Sequence, residues 1–480
     1  MNLLLINPAE RKTLRANLPP AIERLRGKNP PIGLLYVAAA AQRETGWQTH
    51  LIDAQAAECS SVALARQIQE AKPDLAGITA TTFTYLDALE AARIVKQSRP
   101  ECPVVFGGVQ PFIYPEETLM QPDIDMIIAG EAEESFPQML AIWRDEGPSA
   151  LNRQRLPGLA VKNGDLTSFA PAPLIENLDA LPFPAWEISP ISSYNSLVTH
   201  HRPVTIALSS RGCPYHCRYC ALSPTGKRWR AHSPERVVEE MLKCRDLGIN
   251  YILFYDEVFT VHRPRVLQIC ERIRRAGLRI NWMARATPDT VNEELLSQMR
   301  GAGCDLITFG VEAGNLEVLQ RLGRKPSIEE TYNVFKTARR VGLRTIAYFM
   351  LGNPGETFAE MKQTLSLAVR LRPDMAHVSL YMPYPSSTFY QEALEKKELD
   401  RDYWRAFAQH PDPEFVPPYG NRNYTSEELE GFLLWFYRRF SFRLGFIWRR
   451  IMDLKGASEF RQAIRAAATL LFGFTKKEPV

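Results

Sequence analysis

Two stretches of this chain alternate short apolar runs with amphipathic ones, and that beat restricts the fold more than any other feature. In the first, strands are predicted at Leu3 to Ile6, Gln48 to Asp53, Leu75 to Thr79, Val104 to Gly107 and Asp125 to Ala129. Helices are predicted between and after them, at Ile32 to Arg43, Val62 to Ala71, Tyr85 to Gln97, Pro115 to Met120 and Glu133 to Arg144. Such alternation builds an α/β domain with a doubly wound, mostly parallel sheet. Ligands of these sheets sit past the carboxyl ends of the strands. The residues found there are Thr79, Thr81, Thr82, Gly107, Gly108, Gly130 and Glu131.

From Pro203 the alternation resumes with a longer period. Strands are predicted at Val204 to Ser209, Tyr251 to Tyr255, Ile280 to Arg285, Leu306 to Gly310, Thr345 to Leu351 and Ala376 to Met382. Helices fall between them at Pro234 to Leu247, Pro264 to Ala276, Asn292 to Ala302, Ile328 to Val341 and Thr357 to Leu371. Strand–helix units with right-handed crossovers curl into a partial (β/α)6 barrel of the TIM type, whose chemistry lies at the strand C-termini. The predicted organisation is therefore 1–145 doubly wound domain, 146–200 connector, 201–400 barrel and 401–480 helical C-terminal extension. The connector carries an Asn163-Gly164 hairpin signal and prolines at 171, 173, 182, 184 and 190.

With 480 residues the chain has room for these domains, and a net charge of +4 is too small to argue for nucleic acid. No apolar run has the length to span a bilayer. The N-terminus lacks a basic region and a cleavage site. A reducing cytoplasm is the expected compartment.

The chemistry is concentrated in the loop after the first barrel strand. Ser209-Ser210-Arg211-Gly212-Cys213-Pro214-Tyr215-His216-Cys217-Arg218-Tyr219-Cys220 spaces three cysteines as C-x3-C-x2-C. Three thiolates this close can hold three irons of a cubane cluster and leave the fourth iron open. Zinc is the competing reading. Structural zinc takes four closed ligands, however, and no second C-x2-C pair exists, nor do His216 and His232 complete a familiar spacing. A disulfide framework does not suit a long chain with scattered cysteines. Cys59, Cys102, Cys244, Cys270 and Cys304 are isolated and read as small buried hydrophobes.

The loop followed by this barrel pattern resembles the radical S-adenosylmethionine (radical SAM) enzymes, whose C-x3-C-x-aromatic-C signature is met with Tyr219 as the aromatic. The resemblance implies that Cys213, Cys217 and Cys220 bind a [4Fe-4S] cluster and that SAM chelates its open iron. One-electron cleavage then gives methionine and a 5′-deoxyadenosyl radical. Gly310-Val311-Glu312-Ala313-Gly314 resembles the family's Gly-x-Glu segment, which implies a SAM contact for Glu312 and close backbone approach at Gly310 and Gly314. Asp256 and Glu257 resemble the acidic pair ending the second strand in many relatives. Their other reading is a helix cap or a pair with Arg263 or Arg265. Arg285 ends the third strand, where it can pair with the SAM carboxylate or with an internal acid. Leu351 to Glu356 resembles a Gly-x-Pro-Gly-Glu turn.

A doubly wound domain before such a barrel resembles the cobalamin-binding class. Pro30 to Tyr36, Phe106-Gly107-Gly108 and Ile128 to Glu133 are typical of it. The resemblance implies that Gly107, Gly108 and Gly130 admit the corrin and its nucleotide tail, with Thr79, Thr82 and Glu131 beside them. The D-x-H-x-x-G motif that coordinates cobalt is absent, because Asp53 is followed by Ala54-Gln55-Ala56-Ala57-Glu58. The implied reaction is cobalamin-dependent methylation of an unactivated carbon. One SAM methylates cobalamin and a second opens the substrate C–H bond. The alternatives are a radical cyclase or rearrangement enzyme like the anaerobic magnesium-protoporphyrin ester cyclases, and a non-catalytic cobalamin or iron–sulfur sensor. Implied partners are a small-molecule, hydrophobic substrate and a reductant such as flavodoxin or ferredoxin. The runs Trp435 to Phe440 and Phe442 to Arg450 interleave aromatics with arginine. They read as a lid, as ordinary packing, or as a peripheral membrane contact.

Overall fold

The computed structural model describes residues 1–14, 27–162, 164, 169–221, 225–325 and 327–443. The first unit comprises β1 (Asn2–Asn7), α1 (Ile32–Thr45), β2 (Gln48–Asp53), α2 (Ser61–Ala71), β3 (Leu75–Thr79), α3 (Tyr85–Ser98) and β4 (Val104–Gly107). It continues with the short helices α4 (Val109–Ile113) and α5 (Pro115–Leu119), then β5 (Met126–Ile128), α6 (Ala132–Glu146) and β6 (Leu159–Val161). The sheet order is β2-β1-β3-β4-β5-β6, parallel except for the antiparallel β5–β6 pair. The chain order reverses between β1 and β3, and a ligand crevice is expected at such a switch point. Strands such as Leu3-Leu4-Leu5-Ile6 are apolar on both faces because helices cover both.

The second unit opens with β7 (Val204–Ala207) and a two-stranded ladder, β8 (Ser210–Arg211) with β9 (Arg230–Ala231). Then come α7 (Pro234–Asp246), β10 (Tyr251–Phe254), α8 (Arg263–Arg275), β11 (Asn281–Ala286), α9 (Glu293–Gly301) and β12 (Cys304–Glu312). After α10 (Leu316–Arg321) and α11 (Ile328–Arg340) follow β13 (Arg344–Leu351), α12 (Phe358–Leu371) and β14 (Met375–Leu380). Strands β7 and β10 to β14 pair in sequence order, all parallel, as an open six-stranded partial barrel. Its helices start on side-chain caps. Ser233 accepts from the Arg236 N–H with Pro234 in the first turn, and Thr357 and Glu360 form a reciprocal capping box.

The last segment is α13 (Thr388–Glu395), α14 (Tyr403–Gln409) and α15 (Ser426–Ser441). Helix α14 does not stay on the barrel. Tyr403, Trp404 and Phe407 join the core of the first unit, and Asp402 accepts from Tyr114 (3.2 Å) and Tyr390 (2.7 Å). The chain after the barrel thus straps the two units together. The connector does the same from the other side. Trp186 donates to Thr205 (2.9 Å), and Tyr194 donates to Asp53 (2.8 Å).

The basic aromatic helix α15 buries Leu429, Leu433, Phe436, Tyr437 and Phe440 against the barrel, and the Tyr437 hydroxyl bonds the Val378 backbone. Packing is the role these aromatics serve. The continuation from 444 to 450 lies outside the described residues, as do Asn163 of the hairpin signal and residues 165–168. Among the described residues no helix is long and apolar enough to cross a membrane.

Candidate active site

The cysteine loop leaves the C-terminal end of β7, the end at which parallel barrels present reacting groups. Its entry is pinned. Asp256, fully buried after β10, accepts the Ser209 N–H (2.7 Å) and the hydroxyls of Ser209 (2.6 Å) and Ser210 (2.5 Å). The Arg265 guanidinium holds the Ser209 carbonyl at 2.7 Å. Gly212 then turns at φ +82°, where a Cβ would lie 2.2 Å from the Arg228 carbonyl oxygen, so only glycine fits. The Cys213 N–H donates to Gly226 (3.3 Å) and the Arg218 N–H to Leu322 (3.1 Å). All three loop cysteines are free thiols, and the charge of Cys217 reaches both Cys213 and Cys220.

Both Asp256 oxygens are engaged by the strand that feeds the loop, so the residue positions the cysteines. Glu257 does face the loop. It accepts from Thr225 (2.9 Å), and its charge acts on Cys213 and Cys220. Burial pushes the Glu257 carboxyl up, and Arg285 opposes the shift. Arg285 lies with its guanidinium carbon 3.9 Å from the Tyr255 ring centroid, a cation–π contact inside the barrel mouth.

Glu312 ends β12 at φ +67°, in the left-handed region that residues with a Cβ avoid. The register with β13 slips between Gly310 and Glu312. Backbone strain of this kind collects at ligand-binding positions. A Cβ at Gly310 would lie 2.6 Å from the Glu312 Oε1, so the glycine leaves the space that this carboxylate fills. Burial raises the Glu312 pKa, while the Arg324 guanidinium and the Tyr219 phenol favour its charged form. Gly314 is a different case. Its N–H bonds Thr364 (2.9 Å), and a Cβ would lie 2.5 Å from the Gln363 carbonyl oxygen. It seats the strand exit on α12.

In the first unit a cavity of about 230 Å³ opens past the strand ends. Gly33, Gly77, Thr79, Gly107, Gly108 and Gly130 line it, together with Tyr36 and Arg211. A Cβ added at Gly33 would meet no atom within 4 Å, and one at Gly107 only the Ile128 carbonyl oxygen at 3.9 Å. At mid-strand Gly77 a Cβ would already crowd Leu5 at 2.8 Å. Thr82, also expected beside the cofactor, is buried outside the lining.

Glu131 borders the cavity, but its carboxylate is engaged elsewhere. It accepts from Arg230 at 2.7 and 2.9 Å and from the Ile175 N–H at 2.6 Å, with Arg211 3.5 Å away. Burial raises the Glu131 pKa, but these cations and hydrogen bonds outweigh it and hold the carboxyl below its usual value. Arg211 pairs with Glu133 at 2.6 Å and lies over the Tyr36 ring. Glu131 thus forms an ionic latch between the two units at the border of the cavity.

A family model for the radical SAM superfamily matches residues 208–368, and one for the B12-binding domain matches residues 20–140. An uncharacterised methyltransferase of Pyrococcus horikoshii is 33% identical over 89% of this chain and 92% of its own length. The chain belongs to the cobalamin-binding radical SAM family. The anaerobic magnesium-protoporphyrin IX monomethyl ester cyclase of Rubrivivax gelatinosus is 28% identical over 78% of this chain and 68% of its own. The methyltransferase TsrM of Kitasatospora setae, solved with cobalamin and a [4Fe-4S] cluster, shares the fold. It aligns with a TM-score of 0.64 at 20% identity, over 82% of this chain and 75% of that one.

The family's cofactors are a [4Fe-4S] cluster, SAM and cobalamin, and the residues present fit them. The cysteines are unbridged thiols on one pinned loop. Among the described residues no three His, Cys, Asp or Glu side chains converge on a single-ion site, and the ligands of a cubane each go to a separate iron. At Gly33 and Gly107 the cavity leaves open space where side chains would otherwise stand, whereas Gly108 and Gly130 turn, at positive φ, against the backbone of Ala80 and Ala172. Sequence reasoning placed Tyr36 only within the Pro30 to Tyr36 segment and missed Arg211, Arg230, Thr225 and Arg324. Only Arg211 carried a local signal, since it stands two residues before Cys213.

Proposed function

We propose that this radical SAM protein is a cobalamin-dependent C-methyltransferase acting on an unactivated carbon of a small molecule. The observation that carries the reading is Arg211. One side chain borders the glycine-lined cavity, and its backbone leads through Gly212 into the first cluster cysteine. The corrin site and the cluster loop are therefore built on one another.

In this reading Cys213, Cys217 and Cys220 hold the cluster. Glu312, Tyr219, Glu257 and Arg285 receive SAM, and Gly310 leaves the room that the Glu312 carboxylate takes. Thr79, Gly107, Gly108 and Gly130 receive cobalamin. When bound, these groups supply a carbon radical and a transferable methyl group; the chain supplies position and exclusion of water. Asp256 and Arg265 fix where the cysteines start, and the left-handed Glu312 presents its carboxylate at the barrel mouth. The strap through α14 and the Glu131–Arg230 latch hold the two cofactor sites in register. A one-electron donor of the flavodoxin or ferredoxin class feeds the cluster.

The Rubrivivax relative supports a second reading, a radical cyclase without net methylation. The Pyrococcus relative, named a methyltransferase and matched over more of its length, favours the first. Product analysis separates them. Methyl transfer from SAM leaves S-adenosylhomocysteine, so the reduced, cobalamin-loaded protein should form it together with 5′-deoxyadenosine. Formation of 5′-deoxyadenosine with no S-adenosylhomocysteine would overturn the methyltransferase reading in favour of the cyclase.

A further inference from the structure

The turn Leu322-Gly323-Arg324 docks on the cysteine loop. The Leu322 carbonyl accepts the Arg218 N–H at 3.1 Å. Gly323, at φ +74°, lies so close that a Cβ would be 3.0 Å from the His216 carbonyl oxygen. From this fixed backbone Arg324 reaches two groups. Its Nη2 donates to the Gly310 carbonyl at 2.7 Å, and its Nη1 points at the Cys217 Sγ at 3.8 Å. The side chain is only 8% exposed, its Nε has no partner, and Glu312 supplies the counter-charge.

A guanidinium is charged at every working pH, and burying it is costly unless something answers the charge. Glu312 answers part of it. Of the donors not on the Gly310 carbonyl, Nη1 is aimed at a sulfur that belongs to the cluster site.

We propose that Arg324 is a positioning residue that sets the reduction potential of the cluster through the Cys217 sulfur. Reduction adds one electron, and so one negative charge, to a cluster already surrounded by thiolates. No proton has to follow, because the guanidinium keeps its own. A fixed cation with an N–H aimed at sulfur stabilises the reduced state more than the oxidised one. Glu312 acts in the opposite sense on the same centre. The pair therefore gives a test with two signs, which a purely structural role would not produce. The inference rests on the cluster assignment, and iron and sulfide counted in the same samples separate failure of one from failure of the other.

The experiment is an EPR-monitored redox titration, with mediators, of the full-length, anaerobically reconstituted protein without SAM. Four samples are compared: wild type, Arg324→Lys, Arg324→Gln and Glu312→Gln. At the potential where the wild-type cluster is half reduced, Arg324→Gln should show about a tenfold lower ratio of reduced to oxidised cluster, or about 59 mV for a one-electron couple. Arg324→Lys should fall between, since it keeps the charge but loses the fork. Glu312→Gln should raise the ratio. Full iron and sulfide in Arg324→Gln with an unchanged ratio would overturn the proposal. If Arg324→Gln loses its cluster, Arg324→Lys and Glu312→Gln decide by the sign of their shifts. Loss of the cluster in both arginine variants would show a structural requirement instead and would also overturn it.

Discussion

Removal of the Glu131 carboxylate should loosen the two units from each other. Glu131 and Arg230 are 5% exposed each, and their two hydrogen bonds are 2.7 and 2.9 Å long. Taking away one partner of such a buried pair costs about 3–5 kcal/mol, mostly by stranding the other charge. Here Arg211 keeps Glu133 at 2.6 Å. The stranded charge is that of Arg230, which retains the carbonyls of Ile175 (2.6 Å) and Thr225 (3.1 Å). The lower end, about 3 kcal/mol, is therefore expected for Glu131→Ala. The assay is urea unfolding of the apo protein followed by tryptophan fluorescence. The double variant Glu131→Met/Arg230→Met should recover most of the loss, since apolar replacement of a buried pair is often neutral. A single-variant loss below about 1 kcal/mol, or a double variant as unstable as the single, would refute the latch. The pH dependence has a fixed sign. The folded carboxyl sits below its usual pKa. Its stabilisation is thus fully present above the unfolded pKa and fades as pH falls through the lowered folded value. The gap between wild type and Glu131→Gln should close in acid.

Three other outcomes follow from particular residues. Burial pushes Glu240 up to about 7, with Arg236 opposing the rise and Asp256 adding to it. Such a group favours folding while protonated, so its penalty appears as pH rises from about 4.5 to 7. Glu240→Gln should gain about 3 kcal/mol on wild type between pH 4.5 and pH 8 in urea titrations, and no pH-dependent gain would contradict the burial argument. Gly33→Leu puts a side chain at the mouth of the glycine-lined cavity, where a Cβ meets nothing. It should abolish corrin retention while stabilising α1 by up to about 1 kcal/mol; desalting and thermal melts check both, and retained corrin would move the cobalamin site elsewhere. Cys217→Ala should remove both the cluster absorbance and reductive SAM cleavage, and cleavage that persists would sink the cluster assignment.

Much of this was legible in the sequence because periodicity and short-range spacing carry it. The strands at Gln48–Asp53, Leu75–Thr79 and Val104–Gly107 have the boundaries their apolar runs predict. The cysteine loop stands at a barrel strand end, as its place directly after the predicted strand Val204 to Ser209 implies. What stayed hidden depends on partners distant in sequence. The two residues of β8 that pair with β9 are too short to leave a pattern. The edge strand β6 joins as an antiparallel partner that alternation alone does not announce. Asp256 and Glu131 are acids at strand ends, where a cofactor contact was expected. Their roles are decided by Ser209, Ser210 and Arg230, and no local rule links them. Helix α14 carries Tyr403, Trp404 and Phe407, which read as ordinary core residues; only the folded chain shows that the core they join is that of the other unit. Arg324 is one of many arginines until the Leu322–Arg324 turn brings it to Cys217.

In the proposed reading one chain carries a corrin site and a cluster site built on each other. Its most direct test is the amount of cobalamin retained per chain by the anaerobically purified, cluster-reconstituted protein after desalting. About one corrin per chain beside an intact cluster is expected. An intact cluster with no retained corrin would contradict it, leaving a radical SAM protein whose first domain holds no cobalamin.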